Sequence, residues 1–134
     1  SEMCIRDSPV QSWIEENSAD TELQSFVFPV AKAFGRLQLA TGHIAQAGLS
    51  NRDEGGAAAS EYLRLFGLVA LGYLWARMAQ ISIKKQGEND KAFYAAKIIT
   101  ARFFMERVLP QTGALFAAIM SGSNTMMEFP DDTF

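Results

Sequence analysis

From Tyr62 to Ala76 the chain reads Tyr-Leu-Arg-Leu-Phe-Gly-Leu-Val-Ala-Leu-Gly-Tyr-Leu-Trp-Ala, and Arg64 is the only charge in it. Arg64 and Arg77 bracket about a dozen uncharged residues, whereas crossing a bilayer takes ~20 apolar residues at ~1.5 Å of rise each. The run therefore predicts a core helix buried on nearly all sides, and no transmembrane segment. The rest of the chain has to supply the neighbours that bury it.

Helix signals stand on both sides of this run. Thr21-x-x-Gln24 has the spacing of a capping box, with Asp20 as a competing cap. Phe26, Val30, Ala33, Leu37, Ala40 and Ile44 recur at steps of three and four, which predicts a helix over about 21–47. Pro29 inside it predicts a kink or a later start. Gly48 is placed as a C-terminal glycine, and Ser50 with Asp53 and Glu54 offers a cap and an acidic first turn, so a second helix is expected over about 53–84. Gly87 suits a left-handed turn, and Asn89 or Asp90 can cap a third helix over about 90–120. That helix carries Ala92, Ala96, Ile99 and Phe103 in one core row and Phe93, Thr100 and Phe104 in a second, and Pro110 should bend it. Gly122 ends it, and Thr125-x-x-Glu128 can cap one further turn. Residues 9–20, anchored by Trp13 and Ile14, read as a short helix or a linker. Residues 1–8 resemble translated sequencing adapter and are set aside from the fold.

No alternating strand pattern and no solenoid period is present. Three long helices with short connections must run up, down and up. The expected class is all-α: residues 21–134 as an antiparallel bundle of three long helices with a short C-terminal helical flap. The second helix has more apolar perimeter than two neighbours need. Its spare face, with Leu63, Arg64, Phe66, Tyr73 and Trp75, is the candidate docking face.

Composition narrows the function classes. At 134 residues, 49% of them hydrophobic and 20% charged, the chain is one globular domain by length, short for an enzyme that must hold both a dinucleotide cofactor and a large substrate. The net charge of −3 lacks the basic excess of nucleic-acid binders and of proteins drawn to anionic lipid. The single cysteine, Cys4, cannot form an internal disulfide, and the single histidine, His43, cannot supply the clustered ligands of a metal site. A reducing, cytoplasmic setting fits this usage.

No residue pattern carries catalysis. Glu61 with Arg64 and Arg102 with Glu106 have the spacing of exposed helix ion pairs, which contribute only ~0.2–0.5 kcal/mol each. Arg64, set in the most apolar stretch, should snorkel or meet a carboxylate across an interface. His43 has no nucleophile or orienting partner in any recognisable motif. Gly55-Gly56 and the Gly67 to Gly72 spacing follow no strand and lack the lysine and hydroxyl of a phosphate loop, so they read as sites of close helix packing. Phe103-Phe104 and Met126-Met127 read as core filling. No catalytic, cofactor-binding or metal-ligating residue is therefore assigned.

Tyr62-Leu63-Arg64-Leu65-Phe66-Gly67-Leu68-Val69-Ala70 and Trp75-Ala76-Arg77-Met78-Ala79, followed by Phe93-Tyr94, Lys97, Thr100-Ala101-Arg102-Phe103-Phe104 and Arg107-Val108-Leu109-Pro110-Gln111-Thr112-Gly113-Ala114-Leu115, resemble the C-terminal helical domain of a subgroup of flavin-dependent acyl-CoA dehydrogenases. That subgroup includes the 3-methylmercaptopropionyl-CoA dehydrogenase type. The resemblance implies a homo-oligomeric parent that uses FAD to oxidise an acyl-CoA thioester to the 2-enoyl-CoA, with the flavin pocket, acyl-CoA cleft and glutamate base all upstream. It implies a structural role for this domain, docked on the catalytic body or on a second subunit. A free-standing helical interaction module is the alternative, and a peripheral membrane element a third reading that the sparse cations of the second helix disfavour.

Overall fold

The computed structural model describes residues 8–50, 52–87, 89–122 and 128, with the side chains of Ser50 and Glu54 left aside. Among them are the helices α1 (Pro9–Asn17), α2 (Gln24–Ser50), α3 (Arg52–Lys84), α4 (Lys91–Phe103) and α5 (Gln111–Met120), with a π-helical turn at Phe104–Val108 between α4 and α5. The all-α antiparallel bundle is the architecture observed. The expected flap, with Thr125, Met126 and Met127, lies outside the described residues.

Local chemistry accounts for each boundary. Residues 9–17 form a helix because the Ser8 hydroxyl accepts the Gln11 N–H at 3.1 Å and Pro9 stands at the start, where no N–H is needed. Ser8, set aside with the leading octapeptide, is thus the cap of α1. The Thr21 to Gln24 box does not form. Instead the Asp20 carboxylate accepts the Glu22 N–H at 3.0 Å and the Asp20 carbonyl accepts the Leu23 N–H at 3.0 Å, closing a turn over 21–23 ahead of α2, which starts at Gln24. Pro29 therefore causes no late start, because α2 is already a turn old when it reaches the proline. Nor does Gly48 end α2, which continues to Ser50.

The turn before α4 is also built differently from the expectation. Gly87 does not take a left-handed conformation; Asp90 does, at φ 65°, and its carbonyl accepts the N–H groups of Phe93 and Tyr94 at 2.9 and 3.2 Å. Aspartate tolerates this region better than most side chains. At the far end Pro110 has no N–H, and its ring would strike the carbonyl four residues back in an α-helix. The turn ahead of it widens, with Leu109 N–H bonding the Phe104 carbonyl five residues back at 2.8 Å. The expected bend is thus a π-helical turn. Gly122 stops the chain's third limb as expected, at φ 75°.

Helix α3 is the axis of the bundle, packed by α2, α4 and α5, while α1 lies on α2. It buries one stripe, Ala58, Leu65, Val69, Gly72, Ala76 and Ala79, at the steps of three and four that define a single helical face. The Tyr62–Ala76 run is therefore not buried on nearly all sides. Gly67 and Gly72 also part company: a Cβ at Gly72 would sit 3.0 Å from Leu109 Cδ1, whereas one at Gly67 would meet nothing within 4 Å. Of the two, only Gly72 is a close-packing site. By length and composition alone Gly55–Lys84 is apolar enough to cross a membrane, but its buried stripe holds the place of a core helix.

The third limb is rotated relative to the expected rows. Ala92, Ala96, Ile99 and Phe103 face solvent, and so do Phe93 and Thr100, while Ile98, Ala101, Phe104 and Met105 enter the core. Both sides of α4 are apolar, so periodicity alone could not select the one that α3 covers.

Candidate functional site

With one stripe of α3 committed to the core, its opposite side runs Ala59, Leu63, Phe66, Gly67, Ala70, Leu71, Leu74 and Ile81, all exposed or, for Gly67, half-buried. Leu63 is 71% exposed, Phe66 54% and Leu74 53%. From Leu63 to Leu74 this face is about 17 Å long at 1.5 Å per residue, and the exposed Arg77 separates it from Ile81. Soluble monomers rarely leave so continuous an apolar band uncovered. The band has a shallow middle, where Gly67 and Ala70 carry little or no side chain and bring the α3 backbone near the surface.

The five residues singled out from sequence divide between this band and its edges. Leu63 and Phe66 lie on it. Arg64 is exposed and forms no ion pair with Glu61, and Arg102 and Glu106 likewise remain unpaired with each other. Tyr73 is half-buried instead: its ring meets Trp13 edge-on at 5.9 Å and 79°, and its hydroxyl accepts a hydrogen bond from Arg77 Nη1 at 3.0 Å. Trp75 is half-buried on the α4 side, where Lys97 Nζ stands 6.0 Å from its ring centroid and 5.2 Å from that of Phe93. The structure thus places Tyr73 and Trp75 at seams of the domain and leaves Leu63, Arg64 and Phe66 open.

Leu71, and Ile81 beyond Arg77, lie on the open side and were not picked out from sequence, while Val69 of the same apolar run is 2% exposed. Writing out the buried stripe at its three- and four-residue steps would have isolated its opposite side.

The polar arrangements elsewhere tie helices together. Trp13 Nε1 donates to Gln80 Oε1 at 2.8 Å, Arg36 Nη1 donates to Thr112 Oγ1 at 2.9 Å, and the Thr41 and Tyr62 hydroxyls share a hydrogen bond of 2.7 Å. His43 is half-buried and bonds to none of these groups. Among the described residues no set of three or more His, Cys, Asp or Glu side chains is grouped so as to hold a metal ion. The chemistry this surface offers is association through apolar area.

The comparison with known families agrees with the helical architecture. Residues 8–130 match the family model described as acetyl-CoA dehydrogenase C-terminal like, a span that includes α1 through α5. No curated protein matches the chain. Since the match takes in nearly the whole sequence, the chain belongs to the family of C-terminal domains of acyl-CoA dehydrogenase-like proteins.

Proposed function

We propose that this chain is a non-catalytic docking domain of an FAD-dependent acyl-CoA dehydrogenase, whose parent oxidises an acyl-CoA thioester to the 2-enoyl-CoA in the cytoplasm as a homo-oligomer. The domain itself holds no flavin. Its open α3 face, Leu63 through Leu74, lies against the catalytic body or a second subunit and fixes the position of the helices near it. The observation that carries the reading is the open side of α3 itself, where Leu63, Phe66 and Leu74 are each more than half exposed beside Gly67 and Ala70.

The test uses the full reading frame that encodes this domain. Covalent footprinting of Leu63, Phe66 and Leu74 should fall severalfold in the full-length protein relative to the isolated domain. Gly67→Gln should restore the labelling without unfolding the domain. Equal labelling in the two contexts, or a reading frame with no dehydrogenase body, would favour a free-standing interaction module instead.

A further inference from the structure

A second feature stands away from α3, where the π-helical turn and Pro110 hold the third limb off α2. The gap is a cleft of about 330 Å³ lined by Phe28, Pro29, Lys32, Arg36, Met105, Leu109 and Pro110. Its volume falls in the lower range of small-molecule sites. Two cations stand in its wall and, among the described residues, no carboxylate does.

Lys32 and Arg36 are one helical turn apart, so they share a face of α2 and repel each other. Helix α2 contains no Asp or Glu in its whole length, and neither cation pairs with a carboxylate among the described residues. The guanidinium is also held in place. Arg36 Nη1 donates to Thr112 Oγ1 at 2.9 Å, and that hydroxyl donates onward to the Leu109 carbonyl at 2.7 Å, with Thr112 fully buried. A side chain at Gly113 would lie 3.4 Å from Arg36 Nη2, so the glycine lets the guanidinium rest against the first turn of α5. The Phe28 ring, 54% exposed, and the Met105, Leu109 and Pro110 side chains supply apolar walls beside these charges.

We propose that this cleft binds a small amphipathic carboxylate, with its head between Lys32 and Arg36 and a compact aryl or alkyl body against Phe28, Met105, Leu109 and Pro110. An anion relieves the repulsion of the two cations, and a preoriented guanidinium loses little freedom on accepting it. The site uses no residue of α3, so it stands or falls apart from the docking reading.

The experiment is a titration of the ¹⁵N-labelled chain with 4-phenylbutyrate, alongside 4-phenylbutanol as the body without the charge and acetate as the head without the body. Saturable amide shifts centred on Lys32, Arg36, Met105 and Leu109 are expected with 4-phenylbutyrate, and binding at least tenfold weaker with either control. Lys32→Glu, an exposed substitution, should weaken 4-phenylbutyrate binding tenfold or more with the urea midpoint unchanged. Shifts that do not saturate, shifts centred on the open α3 face, equal binding of the alcohol, or undiminished binding by the Lys32→Glu chain would each overturn the proposal.

Discussion

Trp13 of α1 donates its indole N–H to Gln80 of α3 across 67 positions of sequence, and Gln80 Nε2 donates in turn to Asn17 Oδ1 at 3.0 Å. Trp13 is buried, so its N–H has no water to fall back on. Gln80→Leu should lower stability by about 1–3 kcal/mol, the cost of leaving buried polar groups unpaired. Trp13→Phe in the Gln80→Leu background should then cost less than it does alone, by a coupling of ~0.5 kcal/mol or more. Urea unfolding of the four proteins measures the cycle, and strictly additive costs would show that the bond contributes nothing.

The two sides of α3 should respond very differently to the same truncation. Leu65 is fully buried, and Leu65→Ala should cost ~2–5 kcal/mol through lost burial and the cavity left behind. Leu63→Ala, on the open face, should stay within ~0.5 kcal/mol. Trp75→Ala removes a large side chain from the run expected from sequence to be buried on nearly all sides, yet it should cost less than Leu65→Ala because the ring is only half-buried. Chemical denaturation ranks the three, and a Trp75→Ala cost above that of Leu65→Ala would contradict the packing described.

Glycine substitutions offer an independent check with opposite signs. Gly67→Ala meets no atom within 4 Å and should raise the stability of the isolated domain by up to ~1 kcal/mol. Gly72→Ala puts a methyl 3.0 and 3.3 Å from the two Leu109 methyl carbons and 3.6 Å from Phe104 Cε1, so it should lower stability by ~1–3 kcal/mol less whatever helix propensity returns. Thermal melts of the two variants should move in opposite directions.

The isolated domain should self-associate at high concentration through the open α3 face, and the double substitution Leu63→Glu with Leu74→Glu should return it to monomer. Both positions are exposed, so the charges need not disturb the fold. Sedimentation velocity across a concentration series gives the answer. A monomer at every concentration before substitution would mean that the face is benign in water.

Most of the architecture was legible because apolar periodicity is strong where a helix has one buried side. The row Phe26, Val30, Ala33, Leu37 and Ala40 in α2 is buried as its spacing predicts. Periodicity failed on α3 and α4, which are apolar almost all the way round. There the choice of face depends on which neighbour arrives, as the exposed Ile99 and Phe103 beside the buried Ile98 and Phe104 show. Capping chemistry was ambiguous for a related reason. Asp20 and Thr21 are both competent, and in the structure it is the Asp20 carboxylate that takes the Glu22 N–H. The docking face was half legible: Leu63 and Phe66 followed from excess apolar perimeter, whereas Tyr73 and Trp75 were claimed by Trp13 and Lys97, contacts that no local pattern announces.

The open band on α3 also bears on the order in which a cell makes the protein. Chains are synthesised from the N-terminus at about 5–20 residues per second, and domains fold as they emerge. For a domain docked as proposed, the receiving surface is finished before Leu63 leaves the ribosome. The band is then bare for the seconds that α3, α4 and α5 need to emerge and close. The same helix at the N-terminus of the parent would wait, adhesive and unpaired, for the whole dehydrogenase to follow it.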